Sequence, residues 1–189
     1  MNNSQTQKIL IAVTGASAMV FLQSFLELLQ NEDIIVHGIC SDSGAKVLEL
    51  ESGLSYTDLS TVSKWFDAKN FAAPPASGSS GYDAMIVLPC SMGTLAAIAN
   101  GMSSTLVHRA ADVMLKEHKK LLLVVRETPL NRTHLKNMLA AHDAGATICP
   151  PHPSYYLRPE SIEEAARTFS WRLGDQIGLT MKGRKRWEG

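Results

Sequence analysis

Four short apolar segments, each followed by a longer segment of helical character, constrain the fold of this chain more than any other feature. The apolar segments cover residues 9–13, 34–40, 85–88 and 121–125. Short runs that are apolar throughout are typical of parallel strands buried on both faces. Segments with helical spacing or helix-forming composition cover residues 18–30, 43–51, 92–99, 107–117, 132–144 and 161–177. The alternation predicts a three-layer, doubly wound α/β fold around a parallel sheet.

Three segments depart from this alternation. Residues 147–149 predict one more short strand, and the proline-rich residues 150–160 after it predict a crossing loop. Residues 56–83 are predicted to be irregular, because they contain two adjacent prolines and then a run of small hydroxyl and glycine residues. With 189 residues and no internal repeat, the chain is predicted to form a single domain over residues 1–189.

Charge and composition argue against several classes of partner. Basic and acidic residues both number 18, so no overall positive field attracts nucleic acid or an anionic membrane. The N-terminus is polar, and no apolar segment is long enough to insert into and span a bilayer. Three widely spaced cysteines (Cys40, Cys90 and Cys149) are typical of reduced thiols, and the six histidines show no metal-ligand spacing. We therefore expect a cytoplasmic protein without a metal site.

The residues directly after the predicted strands indicate where a ligand binds, because ligands of doubly wound sheets lie beyond the carboxyl ends of the strands. These residues are 14–17, Ser41, 89–94 and 126–129. Three of the four ends place hydroxyl or small side chains at a helix start, which favours a phosphate, although helix capping is the alternative role for serine and threonine. Neither G-x-x-x-x-G-K-S/T nor G-x-G-x-x-G occurs, so a mononucleotide such as FMN fits better than a dinucleotide.

Several charged or nucleophilic residues have two open interpretations. Arg109 and Lys116 lie two helical turns apart with Asp112 between them, which is either a surface ion-pair ladder or part of a cationic site. Arg126 ends an apolar strand, where its charge must reach a cleft or a partner. Glu127 either pairs with a lysine or transfers a proton. Cys90 at a helix start is either a nucleophile or a small buried side chain.

Seven segments together carry a family resemblance: "TGAS", "APPASGSS", "LPCSMGTLAAIANG", "RAADVMLKE", "VRETPL", "PPHPSYYLRP" and the terminal "RW". In this order, from about residue 9 to 187, they closely resemble the flavin prenyltransferases of the UbiX type, long labelled aromatic acid or octaprenyl-hydroxybenzoate decarboxylases. The resemblance implies a Rossmann or flavodoxin-like flavoprotein fold. It also implies that reduced FMN is joined through N5 and C6 to the dimethylallyl group of dimethylallyl monophosphate, without a metal. The product, prenylated FMN, would serve a UbiD-type decarboxylase in ubiquinone synthesis or aromatic acid breakdown.

The resemblance also implies roles for individual residues. The FMN-binding positions are Gly15, Ala16, Ser17, Ser41, Ser91, Met92, Gly93, Thr94 and Arg126. The positions that bind the prenyl phosphate and its allyl group are Phe71, Ser77, Arg109, Lys116, Arg126, Tyr156, Arg172 and Trp187. The catalytic positions are Glu127 for proton transfer, Ser17 beside the reacting edge of the flavin, and Glu51. A homo-oligomer, a dodecamer with sites shared between subunits, and a lid formed by residues 180–189 are further expectations.

The sequence departs from the family pattern at two places. The first motif usually reads G-A-S-G-A, whereas Ala18 and Met19 follow Ser17 here and could narrow the space beside the flavin. Phe71 stands where tryptophan is frequent, and phenylalanine is the weaker cation–π partner for an allyl cation.

Two rival functions remain to be compared. Peptidyl-cysteine decarboxylases of the same superfamily resemble "PASAN" after the proline and carry an early histidine, whereas this chain has "PASGSS", and "TGASAMVF" contains no histidine. A non-enzymatic flavin-binding or regulatory subunit should have lost the phosphate-binding cations. All four are present, namely Arg109, Lys116, Arg126 and Arg172.

Overall fold

The computed structural model describes residues 6–187. The first five residues of the polar N-terminus and the last two residues of the predicted lid, 188–189, lie outside the described residues. No helix within the described range is long and apolar enough to cross a membrane.

Within residues 6–187, six parallel strands form one sheet in the order β3-β2-β1-β4-β5-β6. The strands are β1 (Gln7–Val13), β2 (Ile34–Cys40), β3 (Lys64–Asp67), β4 (Ala84–Cys90), β5 (Lys120–Val125) and β6 (Thr147–Ile148). The strand order changes direction between β1 and β4, so the loops after these two strands flank the switch point at which such sheets bind ligands. The predicted doubly wound parallel fold is confirmed.

The helices agree with the sequence pattern to within two residues at each end. They are α1 (Met19–Leu29), α2 (Asp42–Ser52), α3 (Met92–Ala99), α4 (Leu106–Lys116), α5 (Arg132–Asp143) and α6 (Ile162–Ile177). Five of them directly follow an N-cap residue, whose side-chain oxygen accepts a hydrogen bond from a backbone N–H of the first turn. These residues are Ser41, Ser91, Thr105, Asn131 and Ser161. Short polar N-caps therefore set the start of these five helices.

The two faces of the sheet carry separate apolar cores. On one face, Ile9, Ile11 and Val13 of β1 pack with residues of α1 and α6. On the other face, Leu10 and Ala12 of the same strand pack with residues of α3 and α4. Because side chains alternate along a strand, the continuous apolar sequence of β1 supplies both cores. The helices α4 and α6 therefore lie on opposite faces of the sheet.

Strand β3 corrects the expectation that residues 56–83 are irregular. It spans only four residues at the edge of the sheet, and of these Phe66 alone is buried. Four residues with one buried side chain carry no periodic pattern that could be recognised in the sequence. The strand is held by its neighbour, since the Trp65 ring lies so close to Gly38 of β2 that a Cβ there would come within 2.4 Å of it. The rest of the segment contains short 3-10 turns, including Pro74–Ala76 and Gly78–Ser80.

Candidate functional site

Thr14 joins the loops that follow β1 and β4. Its hydroxyl donates to the carbonyl of Pro89 at 2.8 Å and accepts a hydrogen bond from the backbone N–H of Ser91 at 2.9 Å. The Thr14 backbone N–H also donates to Pro89, at 3.3 Å. Thr14 is only 2% exposed, so these groups have no access to water as an alternative partner. One buried hydroxyl thus fixes the two loops at the switch point relative to each other.

The start of α3 presents backbone next to open space. The Ser91 hydroxyl accepts from the Thr94 backbone N–H at 3.3 Å and donates to the Thr94 hydroxyl at 3.1 Å. A Cβ built on Gly93 would meet no atom within 4 Å. A helix N-terminus whose first turn is open on one side can receive an anion on its N–H groups.

The loop after β2 lies against the loop after β1. A Cβ on Gly15 would lie 2.6 Å from the Cβ and hydroxyl of Ser43, so only glycine permits this approach. Gly44 packs in the same way against the end of β1, where a Cβ would lie 2.5 Å from the carbonyl oxygen of Val13. Ser41 caps α2 by accepting from the Gly44 N–H at 3.0 Å. The capping role that the sequence left open for Ser41 and Ser91 is therefore present in both.

These contacts bring together the strand-end residues predicted from the sequence. We call the loops after β1, β2 and β4 the strand-end edge, formed by residues 14–18, 41–44 and 89–94. It contains eight of the nine predicted FMN-binding positions, namely Gly15, Ala16, Ser17, Ser41, Ser91, Met92, Gly93 and Thr94. The ninth, Arg126, follows the neighbouring strand β5, and its backbone N–H donates to the carbonyl of Cys90 at 3.3 Å.

Ala18 has a left-handed backbone conformation, with φ 94° and ψ 38°. An L-residue pays about 1–2 kcal/mol for this conformation, and glycine does not. The Glu51 carboxylate on α2 accepts hydrogen bonds from the backbone N–H groups of Ala18 at 3.1 Å and Met19 at 2.8 Å. Glu51 therefore caps α1 from a neighbouring helix and holds the strained turn. This contact was not predicted from the sequence, and a catalytic role for Glu51 stays a prediction.

Arg126 and Glu127 line a cavity of about 550 Å³ beyond the end of β5. The same cavity is also lined by Pro150, Pro151 and His152 of the proline-rich loop. The Glu127 carboxylate accepts a hydrogen bond from the backbone N–H of Thr128 at 3.0 Å. Among residues 6–187, neither side chain takes part in an ion pair. Within residues 6–187, Glu127 therefore does not pair with a lysine, which was one of its two possible roles; the other, proton transfer, stays a prediction.

The two predicted phosphate-binding cations of α4, Arg109 and Lys116, already bind nearby groups of the protein. Arg109 donates through Nε to the carbonyl of Ala76 at 3.1 Å and through Nη1 to the Asp112 carboxylate at 2.6 Å. Lys116 forms an ion pair with Glu117, which lowers the pKa of that carboxyl. Arg109 thus ties the turn that precedes Ser77 to α4, a contact that the sequence did not predict.

Tyr156, Arg172 and Trp187 line a different cavity, of about 620 Å³, on the outside of α6. The rings of Tyr156 and Trp187 meet edge to face, with centroids 5.0 Å apart and an interplanar angle of 86°. Arg172 donates to the Asp175 carboxylate at 2.8 Å. We call these three residues and Asp175 the C-terminal cluster.

Comparison with known proteins assigns the chain to a family. The model of the family "Flavoprotein" matches residues 1–167. The flavin prenyltransferase UbiX of Deinococcus radiodurans is 40% identical over 95% of this chain and 93% of its own length. The corresponding protein of Methanocaldococcus jannaschii is 36% identical, over 95% of this chain and 98% of its own. The chain belongs to the UbiX-type flavin prenyltransferases.

Solved structures of UbiX-type proteins share the fold over nearly the whole chain. AnUbiX in complex with FMN and dimethylallyl pyrophosphate superposes with a TM-score of 0.95 at 37% identity, covering 98% of this chain and 99% of that one. A dodecameric FMN-dependent UbiX-like decarboxylase from Escherichia coli O157:H7 superposes with a TM-score of 0.93 at 38% identity, covering 97% and 100%. A PPC decarboxylase structure, at 18% identity and a TM-score of 0.62, shares the fold alone.

The predicted phosphate-binding residues of this UbiX-type chain are distributed over separate surfaces. Ser77 lines a small cavity beside α4, Arg126 lines the cavity beyond β5, and Tyr156 and Arg172 line the cavity outside α6. Because α4 and α6 lie on opposite faces of the sheet, Arg109 and Arg172 belong to different sides of the chain. Phe71 is exposed in the turn before the two prolines.

All three cysteines are free thiols, and burial raises their pKa values. The pKa is raised to about 12 for Cys90 and Cys40 and to about 11 for Cys149, mainly by desolvation. Cys90 is completely buried. A thiol with such a pKa is protonated at neutral pH and is a poor nucleophile. Of the two interpretations of Cys90, the small buried side chain is therefore correct.

Proposed function

We propose that this chain is a flavin prenyltransferase that joins the dimethylallyl group of dimethylallyl monophosphate to N5 and C6 of reduced FMN. The observation that carries the proposal is the strand-end edge, where three loops meet at the switch point of a UbiX-type fold. A peptidyl-cysteine decarboxylase or a non-enzymatic subunit has no specific observation in its favour. The three free thiols are compatible with the cytoplasm, which we propose as its location.

The residues of the strand-end edge fit FMN. Two helices, α2 and α3, begin there with serine caps, so their first-turn N–H groups suit a single phosphate. The open side of Gly93 leaves room for a ligand to approach the backbone. We propose that Gly15, Ala16, Ser17, Ser41, Ser91, Met92, Gly93, Thr94 and Arg126 bind FMN. Reduced flavin supplies the nucleophilic nitrogen and carbon, and the protein supplies binding and orientation.

The cationic residues would bind the phosphate of the prenyl donor. When the carbon–oxygen bond of dimethylallyl monophosphate breaks, the electron pair leaves with the phosphate, and guanidinium and ammonium groups stabilise that charge. We propose this role for Ser77, Arg109, Lys116, Arg126, Tyr156 and Arg172. Aromatic side chains can stabilise the positive allyl group, and Phe71 and Trp187 are the candidates.

Glu127 is the candidate for proton transfer. It lines a cavity at the carboxyl end of the sheet and, within residues 6–187, has no cationic partner that would neutralise it. Formation of a carbon–carbon bond at C6 of the flavin requires that the proton on this carbon be removed, which a carboxylate within reach can do. Ser17 follows β1 and would lie near the reacting edge of the flavin.

We further propose that the site is completed between copies of this chain in a homo-oligomer, as in a dodecamer. Two arginines proposed for the same phosphate, Arg109 and Arg172, lie on helices that cover opposite faces of one sheet, which favours a site that takes each arginine from a different copy. Exposed leucines on α5, Leu135 and Leu139, provide apolar surface that an oligomer would cover. Within each copy, residues 1–189 would form one domain, and residues 180–189 a lid over the site of a neighbour.

Mass spectrometry of the reaction product tests the proposed function. Purified protein is incubated without oxygen with reduced FMN and dimethylallyl monophosphate, and the flavin is released and weighed. We expect the mass of prenylated FMN, the product that a UbiD-type decarboxylase would use as cofactor. A parallel reaction with Glu127→Gln should bind FMN but form little product. Recovery of unmodified FMN from the wild-type reaction, with substrate intact, would contradict the proposal.

A further inference from the structure

One carboxylate joins the last helix to the C-terminal tail. Asp175, near the end of α6, accepts a hydrogen bond on Oδ2 from Nη1 of Arg172, and its Oδ1 forms an ion pair with Arg184 of the tail. The side chain of Asp175 is 19% exposed and that of Arg184 is 11% exposed. An ion pair shielded from water to this degree is screened much less than one on the surface. Asp175 belongs to none of the motifs that carry the family resemblance.

The tail makes contacts on both sides of this ion pair, first with α6 and then with the turn Tyr155–Leu157 that precedes α6. Before it, the Met181 side chain is buried against Gly174, where a Cβ would lie 2.7 Å from the Met181 sulfur. After it, Trp187 contacts the Tyr156 ring. Gly174 therefore provides the space for the first contact, and the ion pair with Asp175 lies between the two contacts along the chain.

The same carboxylate restricts the guanidinium of Arg172. Arg172 is 59% exposed, so without a partner its long side chain would sample many rotamers. Asp175 accepts from Nη1, and a guanidinium has five N–H donors. Among residues 6–187 no other group accepts from Arg172, so its other donors can bind a second acceptor. An arginine held at one edge is pre-organised to bind a phosphate through the other.

We propose that Asp175 is a positioning residue that orients Arg172 toward the prenyl phosphate and at the same time fixes the C-terminal tail. The part that concerns Arg172 rests on the proposed function, and the part that concerns the tail does not. Both parts follow from the two oxygens of one carboxylate having different partners, one on the helix and one on the tail.

Two measurements on Asp175→Asn test this proposal, with Asp143→Asn as the matched control at an exposed helix end. The first follows cleavage of the Lys182–Gly183 bond by trypsin under native conditions, by mass spectrometry. We expect cleavage about 10-fold faster than in the wild type, the factor that corresponds to losing one hydrogen bond between charged groups. The second titrates dimethylallyl monophosphate into FMN-loaded protein. We expect a dissociation constant about 10-fold higher, with FMN affinity unchanged.

A second variant, Arg184→Gln, separates the two contacts of Asp175. It should speed the same cleavage while weakening substrate binding less than Asp175→Asn, because Arg172 keeps its partner. The proposal is overturned if Asp175→Asn changes neither measurement, or if Arg184→Gln weakens substrate binding equally. If wild-type protein fails to bind dimethylallyl monophosphate, the proposed function fails instead, and the trypsin measurement still decides whether Asp175 fixes the tail.

Discussion

The strand-end edge and the C-terminal cluster are built from different kinds of contact. At the strand-end edge, backbone groups, hydroxyls and glycines of three loops meet at short range within one chain. In the C-terminal cluster, long charged and aromatic side chains lie on the outside of α6 and are joined through Asp175. Backbone geometry must be supplied by a single folded chain, whereas exposed side chains can serve a ligand held by another copy. We therefore propose that each chain builds its own flavin site and contributes to the substrate site of a neighbour.

Of the substitutions in the strand-end edge, removal of the Thr14 hydroxyl should lower the stability most. Thr14→Val keeps the shape but leaves the Ser91 N–H without its partner and removes the shorter of the two hydrogen bonds to the Pro89 carbonyl, which keeps only the Thr14 backbone N–H. Because an unsatisfied buried polar group costs about 1–3 kcal/mol, we expect the free energy of unfolding to fall by about 3 kcal/mol, with weaker FMN binding. Urea unfolding measures the first and fluorescence titration the second. Thr133→Val, at an exposed position on α5, should change neither.

A methyl group on Gly15 should separate two of the loops. Gly15→Ala places a Cβ against the Cβ of Ser43, so we expect a loss of stability of about 2 kcal/mol from overpacking and a lower affinity for FMN. Adding Ser43→Gly removes the clashing atom. The double variant should therefore recover FMN affinity, as measured by titration of both proteins. If it binds FMN no better than Gly15→Ala alone, the close approach of these loops is not what the flavin requires.

Relief of the strained turn should produce the smallest effect, and in the opposite direction. Ala18→Gly removes the cost of a positive φ, so thermal unfolding should show a gain of about 1 kcal/mol, which the greater flexibility of glycine in the unfolded chain reduces in part. Ala16→Gly, where φ is not positive, should instead be neutral or destabilising. A loss of stability in Ala18→Gly would contradict this prediction, because it would mean that the positive φ of Ala18 costs less than the flexibility that glycine adds to the unfolded chain.

The sequence predicted the strand-end edge better than the C-terminal cluster. Apolar runs identified the central strands, and the residues after each run necessarily meet at one edge of a parallel sheet. The edge strand β3 was missed because four residues with a single buried side chain give no periodic signal. Contacts between distant segments were missed for a different reason. Glu51 and Asp175 look like solvated helix charges, and only the packed structure shows that their partners are Ala18 and Arg184.

A mixing experiment with two inactive variants tests most directly whether the C-terminal cluster of one copy completes the site at the strand ends of another. Glu127→Gln damages the site beyond β5, and Arg172→Ala damages the C-terminal cluster, so each homo-oligomer should form little prenylated FMN. When both are co-expressed and purified together, random assembly should give about a quarter of the sites one intact surface of each kind, and activity should return to about that fraction of wild type. A mixed oligomer no more active than the mean of the two variants would show that each chain uses its own residues, and would contradict the account.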